Sequence, residues 1–141
     1  MKLTDIKNGN LSAEWAEKGY ELPKFDVEAV KAKTHAEPTW VHFGAGNIFR
    51  AFPAAILNDA LNSGKYDRGV IGADWARLVE IFQAPSLQMI SFTITEKGYG
   101  VAPADLERGL TPVLAMGKVT ALLYERFKAG KLPLTVQSMD N

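Results

Sequence analysis

The apolar positions of this chain change rhythm as it proceeds. Residues 1–36 are polar and mixed, broken at Gly9, Gly19 and Pro23. Within them, Ser12 ahead of AEWAEKG predicts a short capped helix that Gly19 ends. Asp26 ahead of VEAVKAK predicts a second helix. We read residues 1–36 as an arm lying on the domain formed by residues 37–141. From Pro38 the pattern sharpens. TWVHF (39–43) is a short run of β-formers, and a Gly-Ala-Gly turn follows it. Phe49, Phe52, Ile56 and Ala60 then recur at helical spacing, widened by Ile48, Ala55 and Leu57, until Asn62-Ser63-Gly64. Pro53 has no N–H, so this helix is expected to become regular near Arg50.

RGVIGA (68–73) predicts a second strand. Asp74 can cap WARLVEIFQA, whose Trp75, Leu78, Val79 and Phe82 share one face and which Pro85 stops. LQMISFTITE (87–96) is the strongest strand signal, and both of its alternating sets are largely apolar or small, as in a strand covered on both faces. After a loop, residues 113–128 predict a helix with Met116, Val119, Leu123 and Phe127 along one side and Gly130 beyond its end. LPLTVQSM (132–139) is a last strand. The order β-α-β-α-β-α-β predicts an α/β fold: a Rossmann-like, doubly wound parallel sheet in three α/β/α layers, with an N-terminal arm.

Composition narrows the function. The 141 residues are 47% hydrophobic and 23% charged, which suits a globular domain with one sizeable core. Sixteen basic residues balance sixteen acidic ones, so no nucleic acid or anionic membrane is expected as a partner. The absence of cysteine removes disulfides, thiolate metal sites and a thiol nucleophile. His35 and His42 stand seven residues apart, off a shared helix face, and no metal site is expected. No apolar run approaches the ~18 residues of a membrane span. MKLTDIKNGN lacks the apolar stretch of a signal peptide, so a cytoplasmic location is expected.

The chemistry centres on the turn. Ligands of open parallel sheets sit beyond the carboxyl ends of the strands. There a helix start offers free N–H groups, and glycine lets phosphate approach. Gly44 and Gly46 supply the first two glycines of G-x-G-x-x-G, with Phe49 in the third place. The turn reads as a plain bend or as a phosphate cradle, and the bend is the simpler reading. Asp74, 28 residues beyond Gly46, is either the ribose-binding acid of such a site or a helix cap, and the cap is the simpler reading. Arg50 could meet a phosphate or an acidic side chain. His42, among apolar neighbours, reads as a hydrogen-bonded core histidine. Glu96 and Lys97, with Asp140 and Asn141, follow the last two strands, where polar residues either converge on the same crevice or lie as loop residues in water.

HFGAGNIFRAF (42–52), PSLQMISFTITEKGY (85–99) and ALLYERFKAGKLPLTVQSMDN (121–141) resemble the mannitol dehydrogenase family of long-chain polyol and hexuronate oxidoreductases, which includes fructuronate and tagaturonate reductases. LPKFD (22–26) is similar to its N-terminal arm. The resemblance implies an NAD or NADP site and a sugar acid or polyol substrate, in a style closer to the hexuronate reductases. It puts Gly44, Ala45, Gly46, Asn47, Ile48, Phe49 and Arg50 on the pyrophosphate turn, and Glu96 and Lys97 beside the nicotinamide. It puts Asn141 on the substrate's reacting oxygen, where an amide N–H can stabilise an oxyanion. Catalytic roles are thus expected at Asn141 and Glu96.

Two departures go with it. The family carries long insertions after GVIGA and after TEKGY, and here Ala73 runs straight into Asp74. The family's catalytic lysine lies in a helical domain that would follow Asn141, and neither Lys97 nor Lys131 matches it. Partners expected on this reading are that C-terminal helical domain or a second copy of the chain. The rival expectations are a nucleotide-binding module without catalysis and an inert structural domain.

Overall fold

The computed structural model describes residues 13–44, 46–72, 74–107 and 112–139. Two short helices open it, α1 (Ala13–Glu17) and α2 (Val27–Ala36). Strand β1 (Trp40–Phe43) leads into α3 (Asn47–Ala51) and α4 (Pro53–Asn62). Then come α5 (Trp75–Gln83), β2 (Met89–Phe92), two 3₁₀ turns (Glu96–Tyr99 and Pro103–Leu106), α6 (Ala115–Lys128) and β3 (Thr135–Ser138). The local signals read from the sequence hold at several of these ends. Asp26 accepts a hydrogen bond from the Ala29 N–H and Asp74 from the Arg77 N–H, each capping the helix that follows. Ala84 is extended after α5, as a residue before proline should be.

The sheet is parallel throughout, in the order β1-β2-β3, with Val41 opposite Ile90 and Ile90 opposite Val136. Residue 71 bridges to the other side of β1. The chain therefore steps from β1 to Ile71 in one direction and then returns past β1 to β2. Crossovers of one hand must put their helices on opposite faces for those two directions, and they do. Val41, Ile90 and Phe92 pack with Leu78, Ile81 and Phe82 of α5 and Val119 and Leu122 of α6. On the other face Trp40 packs with Leu57 and Leu61 of α4, joined by Phe25 and Val30. Three layers result, as expected.

Four expectations need correction. Residues 68–73 do not form a strand; a single bridge at Ile71 carries the pairing, through Ile71 N–H to Trp40 O and His42 N–H to Ile71 O. The reason is a tertiary contact: the Thr34 hydroxyl takes the Gly69 N–H at 2.6 Å, so that donor is lost to the ladder. The helix after the turn begins at Asn47, earlier than Arg50, and breaks at Phe52. Pro53 cannot donate and becomes the first residue of a new helix. The break rotates the apolar stripe: Pro53, Leu57 and Leu61 are buried, whereas Phe52 and Ile56 are 58% and 54% exposed. Finally, the stripe on α6 runs through Val119, Leu122 and Arg126, and Phe127 is exposed. The strand predicted over 87–96 forms only at Met89–Phe92, where Ile90, Ser91 and Phe92 are buried as a doubly covered strand requires.

Arg126 is buried without a carboxylate. Its Nε donates to Leu132 O, Nη1 to Phe82 O and Ala84 O, and Nη2 to Leu87 O and Pro133 O. One guanidinium thus ties the end of α5, the approach to β2, α6 and the approach to β3. Loss of hydration pushes its pKa down from the ordinary arginine value.

Asp105 fastens the loop before α6. Its carboxylate accepts from the Ala102, Val113 and Leu114 N–H groups. The Ala102 bond is the strongest of the influences that hold its pKa below the usual aspartate value, with Val113 and Leu114 adding to it against desolvation. A carboxyl with a depressed folded-state pKa adds stability above its unfolded value of about 3.9, and that contribution is lost as pH falls through the lower folded value. Asp105→Asn is therefore expected to flatten the acid limb of the pH–stability curve below about pH 4. Thermal melts of both proteins from neutral to strongly acidic pH check this. Asp67, also held low, first by its Lys33 hydrogen bond, is present in both proteins and cancels. Identical acid slopes would refute the assignment.

Candidate functional site

Chain reversal about β1 creates a switch point at the carboxyl ends of β1 and β2, where open parallel sheets hold their ligands. A cleft of ≈ 500 Å³ lies there, lined among others by Gly44, Phe49, Ile71, Gly72, Ile94 and Lys118. Gly44 sits at the tip of β1 with φ +113°, a region that side chains rarely adopt. A Cβ on it would stand 2.2 Å from the Thr93 carbonyl oxygen. Gly44 is thus glycine because β1 and the chain leaving β2 cross there.

Gly46 differs. It has an ordinary φ of −74° and ψ of −175°, and it starts α3 without a side-chain cap. A Cβ there would meet no atom within 4 Å. Nothing in the described structure requires glycine at this position. Its surface is open to whatever approaches the turn.

The other residues singled out from the sequence fall into groups. Phe49 lines the cleft with Gly44, while Asn47, Ile48 and Arg50 are exposed on α3 at its rim. Asp74 is exposed and caps α5, the simpler of its two readings. Glu96 and Lys97 open the 3₁₀ turn beyond β2 and are exposed, outside the lining of the cleft. That turn does reach the end of β3: the Tyr99 hydroxyl and Ser138 Oγ are 3.0 Å apart. Ala45 and Asn141 lie outside the described residues. Among the described residues no group of His, Asp or Glu side chains is placed to hold a metal ion. No helix among them is long and apolar enough to cross a membrane.

Sequence reasoning missed Lys118, which among the described residues alone brings a formal charge to the lining of the cleft. It lies in the first turn of α6, and only the crossing of α6 over the strand ends brings it there. His42 is the core histidine expected. Its ring is 8% exposed, with Nδ1 at 2.7 Å from Ser91 Oγ and Nε2 at 2.9 Å from Thr93 Oγ1.

This sheet, its switch point and its covering helices define an α/β fold of the Rossmann type. The solved structure of Pseudomonas fluorescens mannitol 2-dehydrogenase, a ternary complex with NAD and D-mannitol, superposes with a TM-score of 0.69 over 86% of this chain and 36% of that one, at 20% identity. No family model matches the chain. D-mannonate oxidoreductase of Thermotoga maritima is 36% identical over 92% of this chain and 35% of its own length. Mannitol 2-dehydrogenase of Cereibacter sphaeroides is 35% identical over 50% of this chain and 17% of its own. By sequence and fold the chain is related to the mannitol dehydrogenase family of oxidoreductases. It spans about a third of the length of the mannonate enzyme. That alignment runs over 189 positions, more than the 141 residues here, so the relative carries segments inside the match that this chain lacks.

Proposed function

We propose that this chain is the cofactor-binding part of an NAD- or NADP-dependent oxidoreductase that interconverts a ketone and a secondary alcohol on a hexuronate-type sugar acid or a polyol. In this reading residues 37–141 form the binding domain and residues 1–36 the arm. The observation that carries it is Gly46: folding does not need glycine there, and a diphosphate brought against the backbone does. Gly44 and the open space at Gly46 together make a cradle that fits such a group.

A bound nicotinamide dinucleotide supplies or accepts the hydride. The chain's own part is to hold and orient. The amides from Gly44 through Ala45, Gly46, Asn47, Ile48 and Phe49 would face the diphosphate. Because α3 is only five residues long, these amides matter more than its dipole. Arg50 and Lys118 would add positive charge at the rim and inside the cleft. Asp74 would meet the ribose hydroxyls with the carboxylate oxygen that does not cap α5. Lys97 would lie beside the nicotinamide. Asn141 would hold the substrate's reacting oxygen by an amide N–H, and Glu96 would move its proton. The sugar acid is the favoured substrate class because the likeness to the mannonate enzyme runs along nearly the whole chain.

Titration of the chain with NADH, read by nucleotide fluorescence, tests the reading. Gly46→Val is expected to weaken NADH binding at least tenfold and to leave the thermal midpoint unchanged. Equal affinity in the two proteins would remove the diphosphate from this turn. A lowered midpoint would mean that glycine serves the fold there after all.

A further inference from the structure

We propose that His42 is a positioning residue for the glycine turn, acting through Phe49; the proposal rests on reading that turn as the diphosphate site. In the G-x-G-x-x-G pattern the third glycine lets the helix lie close to the strand. Here Phe49 occupies that place, and its ring stacks on the His42 imidazole with centroids 4.2 Å apart and planes 21° from parallel. The stacked pair, rather than a glycine, sets how far α3 stands from β1.

The imidazole is itself held from both sides by β2. One arrangement of hydrogens satisfies every group. Trp40 Nε1–H, which can only donate, gives to Ser91 Oγ at 2.7 Å. The Ser91 hydroxyl gives to His42 Nδ1 at 2.7 Å, and His42 Nε2–H gives to Thr93 Oγ1 at 2.9 Å. The Thr93 hydroxyl then reaches the Gly44 carbonyl at 3.4 Å. The chain of bonds begins in the core at Trp40 and ends on the first residue of the turn. It fixes the tilt of the imidazole, the tilt fixes Phe49, and Phe49 is the third residue of α3. The Asn47 and Ile48 amides are thereby aimed from behind, through a stack that also lines the cleft.

A simple packing role would disturb the whole core alike; a positioning role would disturb the turn selectively. The test is amide hydrogen exchange at residues 46–49 of the full chain, compared with core amides of α5 and α6, together with NADH affinity. Phe49→Ala and His42→Ala are each expected to speed exchange at 46–49 at least tenfold more than in the core, and the double variant should go no further than the worse single one. Phe49→Tyr, which keeps the stacked ring, should restore protection and bring NADH affinity within about twofold of the parent. Should His42→Ala fail to fold, the Phe49→Ala and Phe49→Tyr pair still decides. Exchange that rises by one factor throughout, or losses of the two single variants that simply add, would overturn the proposal. Turn-selective exchange in a protein that binds no NADH would uphold the positioning role and sink the cofactor reading instead.

Discussion

Arg126→Met is expected to lower the unfolding free energy by about 3 kcal/mol or more, because each buried carbonyl left unsatisfied costs roughly 1–3 kcal/mol. Methionine nearly fills the volume, so the loss comes from five carbonyl groups that lose a donor, of which Ala84 O keeps the Leu87 N–H. Against the ~5–15 kcal/mol of a typical domain this is a large share. Arg126→Lys should recover little, because a single ammonium cannot span acceptors that the planar fork reaches from two sides. Urea denaturation at constant m-value measures the difference. A loss below about 1 kcal/mol would mean that the carbonyls find other donors and that the clamp is not what joins α5, α6 and the two strand entries.

Gly44→Ala is the second large expected effect. The new Cβ would stand 2.2 Å from the Thr93 carbonyl oxygen, on backbone that cannot step aside without parting the ends of β1 and β2. The positive φ adds strain of about 1–3 kcal/mol. We expect a total loss of about 3 kcal/mol or more, summing strain and overpacking. NADH binding should fall with it, since the cradle is built on this crossing. The contrast with Gly46 is the useful part. Two glycines two residues apart should fail in opposite ways, Gly44→Ala in a thermal melt and Gly46→Val in a ligand titration. If Gly44→Ala melts with the parent protein, the close approach to Thr93 is not maintained in solution.

Much of the fold was legible because its signals are local. Asp26 and Asp74 cap helices through an N–H three residues on, and Pro85 stops α5 by its own geometry. The alternation of strands and helices was enough to require a parallel, doubly wound sheet. Of the site, the glycine turn and its place at a strand tip could be read directly. The separate reasons for its two glycines could not, because one depends on Thr93, 49 residues away.

What local signals left unread shares one cause. Arg126 looks like an exposed helical cation until five carbonyls from distant segments converge on it. The Ile71 run looks like a strand until Thr34 takes its Gly69 donor, and Lys118 joins the cleft only because α6 crosses the strand ends. The sequence by itself determined where α2 and α5 begin, where α5 stops and that the sheet would be parallel, since those depend on neighbours within a few positions or on the order of elements. The tertiary structure alone decided which face of α4 is buried, which charge is clamped inside and what holds the turn in place. Those outcomes depend on polar groups remote along the chain satisfying one another once water is excluded.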